Sequence, residues 1–368
     1  MRKKRPFDFW IFITVLILLS MGVIMVFSAS APSAYNRFND IYFFFKSQMK
    51  YAILAVIAMI VIMNIDYRLY ARWTPLMMII SAILLIMVKI PGIGHQEKGA
   101  WRWIYIGPIH FQPSEIFKIS LILFLASSLS DKREKLKYFF KGLLPYLLII
   151  GFYALLLLWE PHLSCTMIIL TVSSIMLLVA GARVKHFMII GLPALGALSI
   201  LVAFVDYMRD RVLSFLDPFK YPTAEGYQAI QSLYAIGSGG LFGRGLGKSL
   251  QKFLYLPESH NDFIFSVLAE ELGFVGVLAV ILLFLIFIWR GVKVSMSAPD
   301  AFGSLTAIGI TSLIAVQFIF NIAVVTSSMP PTGVSLPFFS AGGTSLILLM
   351  SSVGILLNIS KYANYERI

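Results

Sequence analysis

Charge is what this 368-residue sequence has least of. Asp, Glu, Lys and Arg make up 13% of it, against 59% apolar residues, where soluble domains carry about one quarter charged residues. No polar block is long enough to fold as a separate soluble domain, so a single membrane domain over 1–368 is the economical reading. Cysteine is nearly absent. Cys165 is the only one and lies in an apolar run, which excludes internal disulfides and any CxxC-type metal or redox centre. Acids are scarce as well, 18 against 30 bases, for a formal net charge of +12. That excess does not point to nucleic acid: no compact basic domain or basic-aromatic motif accompanies it, and most of it falls in short loops between apolar runs.

Those runs are what the sequence has in plenty. Apolar windows of about 20 residues lie near 9–29, 48–65, 74–90, 113–130, 142–159, 163–182, 186–205, 263–289, 303–328 and 341–360. The expectation is an all-α, polytopic membrane protein with ten transmembrane helices. The first run follows MRKKRPFDFW; it is about as long as a full span and other spans follow, so it reads as an uncleaved helix rather than a signal peptide. An even number of spans puts both termini on one side. Arg2, Lys3, Lys4 and Arg5, Arg68 and Arg72, the Lys132–Lys141 cluster, Arg183 and Lys185, Arg290 and Lys293, and Lys361 and Arg367 then fall together on the inner side. The short outer loops keep Arg37, Lys46, Lys98 and Arg102, with Lys50 just inside the second span. The bias makes both termini cytoplasmic. One outer connection, about 206–262, is too long to be structureless without a function; within it AIQSLYAIG reads as an amphipathic helix on the membrane surface.

Three clusters carry the chemistry. In PESHNDFIFSVLAEELG, Glu258, His260 and Asp262 stand at the entrance to the eighth span, and Glu270 and Glu271 lie inside it, where an ionised carboxylate costs several kcal/mol unless paired or hydrated. Asp262 has two readings, an N-cap for the span or a half-desolvated general base. Glu270, about 80° around and roughly 12 Å deeper by helical geometry, extends a polar track inward or pairs with an intramembrane base, for which Lys118 is available. In KGAWRWIYIGPIHFQPSEIFK, Trp101, Trp103 and Tyr105 suit an interfacial aromatic belt. Arg102 between them suits a phosphate or pyrophosphate, and Glu115 and Lys118 share one helix face. In PPTGVSLPFFSAGGTS, the Pro and Gly content predicts a short re-entrant loop, with Gly342 and Gly343 allowing close backbone approach. GLFGRGLG (240–247) is not a phosphate-binding Walker loop, since it lacks GK[ST] at the required spacing and follows no strand.

Taken in order, GAxRWI, FQPSE, GYQxxQSLYAIGSGGLFGxGLG, QKFxYLPExxxDFIF with AEELG, and TGVxLPFFSxGG resemble the SEDS (shape, elongation, division and sporulation) family of FtsW, RodA and SpoVE. The resemblance covers essentially the whole chain, and VFSAS, AGARVKHF and the YLPE spacing look most like the FtsW/SpoVE branch. It implies a peptidoglycan glycosyltransferase in the bacterial cytoplasmic membrane that polymerises lipid II on the outer face, in division, elongation or sporulation. It also implies a class B penicillin-binding protein as the crosslinking partner, contacting the eighth and ninth spans. The family's essential aspartate falls on Asp262, its functional tryptophan on Trp103 and its QPSE glutamate on Glu115. Where the family reads Gln/Glu-Pro-Asp-Leu-Gly, this chain has Glu160-Pro161-His162-Leu163-Ser164.

The expected chemistry joins the two lines. Asp262 takes the proton of the acceptor sugar's hydroxyl, while Arg102, Arg211, Arg244 and Lys248 hold pyrophosphate. Trp103, Glu115, Lys118, Glu258, His260, Ser340, Gly342 and Gly343 complete the substrate site within a lipid environment. A divalent cation, Mg2+ or Mn2+, would share the phosphate work, although no ligand cluster in the sequence demands one. An unperturbed imidazole titrates near pH 6.5, so His162 predicts activity that falls as pH drops through about 6 to 7. Two rivals stay open at this level: a lipid II flippase, on the buried Glu115, Lys118, Glu270 and Glu271, and a catalytically silent scaffold for a penicillin-binding protein, on His162.

Overall fold

The computed structural model describes residues 6–97, 100–107, 109–131, 133–188, 213–222, 225–330 and 332–365. Helices dominate, as lipid requires of a chain whose backbone groups find no water to bond. They are α1 (Phe9–Phe38), α2 (Phe43–Met63), α3 (Arg68–Met87), α4 (Pro113–Ser130), α5 (Leu144–Trp159), α6 (Leu163–Val179), α7 (Glu225–Ser238), α8 (Ile264–Ser297), α9 (Ala301–Val325) and α10 (Thr344–Ser360). Among the described residues, seven candidate spans are long and apolar enough to cross a membrane: α1 to α4, α5 with the turn before it, α8 and α9. The shorter α6 and α10 are apolar helices of 17 residues each. The expected span at 186–205 falls almost wholly outside the described residues, as does Arg211.

Two expectations need correction. The protein is not purely helical: β1 (Gly94–Glu97), β2 (Ala100–Ile106) and β3 (Ile109–Phe111) form an antiparallel sheet in the order β1-β2-β3. AWRWIYI alternates large residues with period two and is rich in aromatic and β-branched side chains, which suits a half-buried strand. Ala100 and Ile104 are buried on one face, while Trp101, Trp103 and Tyr105 alternate with them. The eighth span is also not one helix. Gly273 has φ 66° and ψ −167°, so α8 is two helical segments meeting at a kink.

The glycine-rich stretch 239–245 explains how that kink is tolerated. Arg244 N–H donates to the Glu270 carbonyl at 2.9 Å and Gly245 N–H to that of Glu271 at 3.0 Å. On the other side of the break, Phe274 and Val275 N–H donate to the carbonyls of Gly240 and Leu241 at 2.9 and 3.1 Å. Backbone groups exposed by the break are thus satisfied by protein, the condition for irregular backbone at membrane depth. Only glycine fits here: a Cβ at Gly273 would stand 2.2 Å from the Gly243 nitrogen.

The loop between α9 and α10 is re-entrant, as its composition predicts. Val334, Leu336, Phe338 and Phe339 are buried, and a Cβ on Gly22 of α1 would stand 2.3 Å from the Phe338 carbonyl oxygen. Gly22 lies about 20 Å along α1 from its first residue, so the loop reaches deep into the bundle. At the far end, Arg290 donates to Asp8 Oδ2 at 3.0 Å, Tyr365 OH donates to the same oxygen at 3.2 Å, and Asp8 N–H donates to Ser360 Oγ at 2.9 Å. The start of α1 and the tail after α10 therefore meet at one end of α8.

Candidate functional site

A cavity of about 300 Å³, lined by both aromatic and polar residues, lies where β2, β3, the start of α2, the turn before α8 and the re-entrant loop converge. Trp103, Tyr105 and His110 supply one wall, Gln48 and Tyr51 of α2 another, and His260, Asn261, Gly342 and Gly343 the rest. That volume is at the lower end of the range for ligand pockets. Four residues singled out from sequence in three distant segments, Trp103, His260, Gly342 and Gly343, thus line one cavity. Glu115, Ser340 and Gly342 line a smaller cleft of about 30 Å³ that shares Gly342 with the cavity.

Hydrogen bonds hold the turn that carries Asp262 against the re-entrant loop. Ser340 Oγ donates to the Asn261 carbonyl at 2.8 Å, and Ala341 N–H donates to that of His260 at 3.2 Å. Asn321 of α9, fully buried, donates through Nδ2 to the carbonyls of Asp262 and Val334, both at 2.7 Å. Glu258 braces the same turn, its Oε2 accepting from Asn261 Nδ2 at 2.7 Å. The Asp262 carboxylate lies near Gly333 and Ser164: a Cβ on Gly333 would stand 3.3 Å from Asp262 Oδ2 and 3.9 Å from Ser164 Oγ. Phe263 rather than Asp262 occupies the N-cap position of α8.

Strand alternation sends Arg102 to the opposite side of β2 from Trp103. Its Nη2 donates to the Pro161 carbonyl, beside Glu160 and His162. Glu160 is buried, and its Oε1 has no hydrogen-bond partner among the described residues. Desolvation raises its pKa to about 8 against the pull of Lys89 and Arg102, so it is a neutral acid at pH 7. His162 Nε2 lies 2.8 Å from Gln112 Nε2. Burial, with Arg102 and Lys118 nearby, holds its pKa well below 6.5. Against the sequence-based expectation of a titration between pH 6 and 7, this burial and the two cations favour the neutral imidazole.

The ion pairs also differ from expectation. Lys118 Nζ bonds Glu115 Oε1 at 2.8 Å, one turn away on α4, and is not available to α8. Glu270 instead meets Arg244 at 3.2 Å, Ser249 Oγ at 2.6 Å and Leu250 N–H at 2.9 Å. Glu271 meets Lys252 Nζ at 2.9 Å and Ser28 Oγ at 2.6 Å. The glycine-rich loop brings its own donors, so the acid pair locks the loop to α8 and α1. Arg244 is committed to Glu270, Lys248 is exposed beside it, and neither is among the residues lining the cavity. Among the described residues no three His, Cys, Asp or Glu side chains gather as a metal cage.

Residues 9–365 match the sequence profile of the cell cycle protein family of FtsW, RodA and SpoVE. The chain belongs to this family. It is 46% identical to stage V sporulation protein E of Bacillus subtilis, with 99% of each chain covered. It is 42% identical to a probable peptidoglycan glycosyltransferase FtsW of Geobacter sp. strain M18, with 98% of each covered. In three dimensions it resembles a chain of a peptidoglycan synthase complex that coordinates polymerization and crosslinking, with TM-score 0.79, 26% identity and 96% and 97% coverage. It also resembles the rod shape determining protein RodA of Thermus thermophilus, with TM-score 0.71, 25% identity and 97% and 98% coverage. Within this FtsW/RodA/SpoVE chain, sequence reasoning missed Asn321, Asn261 and Gln48. The signal for Asn321 was an amide in the last turns of an apolar helix, where a polar group needs a buried partner.

Proposed function

We infer that this chain is a peptidoglycan glycosyltransferase that polymerises lipid II into glycan strands at the outer face of the bacterial cytoplasmic membrane. The observation that carries the reading is the cavity in which Trp103, His260, Asn261, Gly342 and Gly343 meet, with the Asp262 carboxylate next along the same braced turn. In the reaction, the acceptor sugar's hydroxyl oxygen attacks the anomeric carbon of the donor, the bond to undecaprenyl pyrophosphate breaks, and that group leaves with the electron pair. Asp262 accepts the hydroxyl proton as the new bond forms, a contribution of about 10² to 10⁴ in rate for general bases. Trp103 and Tyr105 offer apolar and stacking surface, while the glycine backbone at 342–343 lets a bulky sugar approach. Arg102, placed against the α5–α6 turn, acts by holding that turn rather than by reaching into the cavity.

The finer architecture in this reading is ten spans in a single domain with both termini cytoplasmic. It is supported by the Lys and Arg distribution and by the meeting of Asp8 with Tyr365. The partner is a class B penicillin-binding protein seated on α8 and α9, a placement supported by the likeness to a peptidoglycan synthase complex. The deciding experiment gives purified protein fluorescent lipid II and resolves products on a gel. Glycan ladders from the wild type that vanish in Asp262→Asn support the assignment. Asn keeps the side chain's size and removes the base, so ladders at the wild-type rate from that variant would refute the catalytic role.

A further inference from the structure

Between Glu271 and Arg290, residues 272–289 carry no ionisable side chain. As helix this stretch is about 27 Å long, close to the roughly 30 Å of bilayer hydrocarbon. The hydrocarbon boundary on the Glu271 side therefore falls at the Gly273 kink. The stretch 239–245 is stapled to that kink by the four backbone bonds of Arg244, Gly245, Phe274 and Val275, which fixes its depth. Its apolar side chains are not folded inward: Leu241 is 65%, Phe242 81% and Leu246 54% exposed. They adjoin Phe274 and Val275, themselves 58% and 52% exposed, which begin the outward face of the α8 span that continues through Leu278, Leu282 and Leu285. The apolar surface thus passes from a lipid-facing helix onto the loop; Arg244, between Phe242 and Leu246, is drawn back to Glu270, and exposed Lys248 follows Leu246.

We propose that residues 240–250 re-enter the outer leaflet, with Leu241, Phe242 and Leu246 among the acyl chains and Lys248 at the level of the lipid phosphates. The occupant of this surface is the phospholipid leaflet. Continuity with the α8 face argues for lipid, and Lys248, following Leu246, matches the order of acyl chain and phosphate. Through Glu270, Glu271 and Lys252, the leaflet then sets the height of the turn that carries Asp262. The inference concerns membrane seating and holds whether or not the chain polymerises glycan.

Nitroxide labels on Leu241→Cys, Phe242→Cys, Leu246→Cys and Lys248→Cys test it in vesicles of phosphatidylethanolamine and phosphatidylglycerol. Leu282→Cys is the lipid reference and Lys46→Cys, on an exposed ion pair with Asp40, the water reference. Cys165 is 1% exposed, so the wild type is the unlabelled blank. The ratio of oxygen to nickel-chelate accessibility is expected to be several-fold higher at 241, 242 and 246 than at 46 and to approach that at 282. Position 248 should fall between the two references. Ratios at 242 and 246 equal to that at 46 overturn the proposal and leave the patch to a protein partner. A ratio at 248 equal to that at 282 overturns the phosphate-level placement. If one variant misfolds, the other two apolar positions still decide.

Discussion

Replacing Lys252 by Met keeps the unbranched stem as far as Cε and removes the ammonium group from a buried site. Glu271 is 0% and Lys252 4% exposed, and their charged atoms are 2.9 Å apart. With Met in place, Glu271 keeps the Ser28 hydroxyl at 2.6 Å and the Ser249 N–H at 3.3 Å, but no cation. Breaking a buried pair in this way costs about 3–5 kcal/mol, because the surviving charge is desolvated and uncompensated. Glu271→Gln leaves the opposite charge stranded and should cost about the same. The double variant Lys252→Met/Glu271→Gln removes both charges and should recover much of the loss, with a coupling of about 2–3 kcal/mol. Unfolding by SDS titration in mixed micelles measures all four proteins. If Lys252→Met unfolds within about 0.5 kcal/mol of wild type, the pair is hydrated and the account of the loop as locked to α8 is wrong.

Asn321→Leu leaves the carbonyls of Asp262 and Val334 without their shared donor, at about 1–3 kcal/mol. Since Asn321 positions Asp262 without touching substrate, kcat should fall more than KM rises in the glycan-ladder assay, and an unchanged kcat would sink the positioning role. Glu160, with its pKa raised to about 8, keeps its proton in the folded state over a range where the unfolded chain has lost it. Folding stability from this group therefore declines as pH rises from about 4.5 to about 8, and wild type and Glu160→Gln should have similar melting temperatures at pH 5 and diverge at pH 9 in favour of Gln. His162, held neutral by burial and by Arg102 and Lys118, should give no titration between pH 6 and 7. The activity profiles of wild type and His162→Asp should superimpose there, and a drop confined to the wild type would show the imidazole to be charged.

The sequence by itself determined which runs are long and apolar enough to cross a membrane, and which carboxylate to watch. Apolar runs and the Lys and Arg bias are read locally or summed over loops, and every expected span within the described residues has a helix on it. Asp262, Trp103 and the Gly342-Gly343 turn stood out by residue type and place, and the structure sets them around one cavity or on its braced edge. What sequence could not decide was pairing. Glu271 meets a lysine 19 residues earlier and a serine 243 residues earlier, distances along the chain that no periodicity reports. The orientation of Arg102 followed from a strand, not a helix, and so from a register that only the sheet partners fix. The titration of His162 likewise depended on burial against α4 and β2, because a pKa is set by the dielectric and charges around a group rather than by its neighbours in sequence. The kink at Gly273 belongs to the same class: the break in α8 is stable only because 239–245 returns to bond both of its ends, a long-range match that tertiary structure alone supplies.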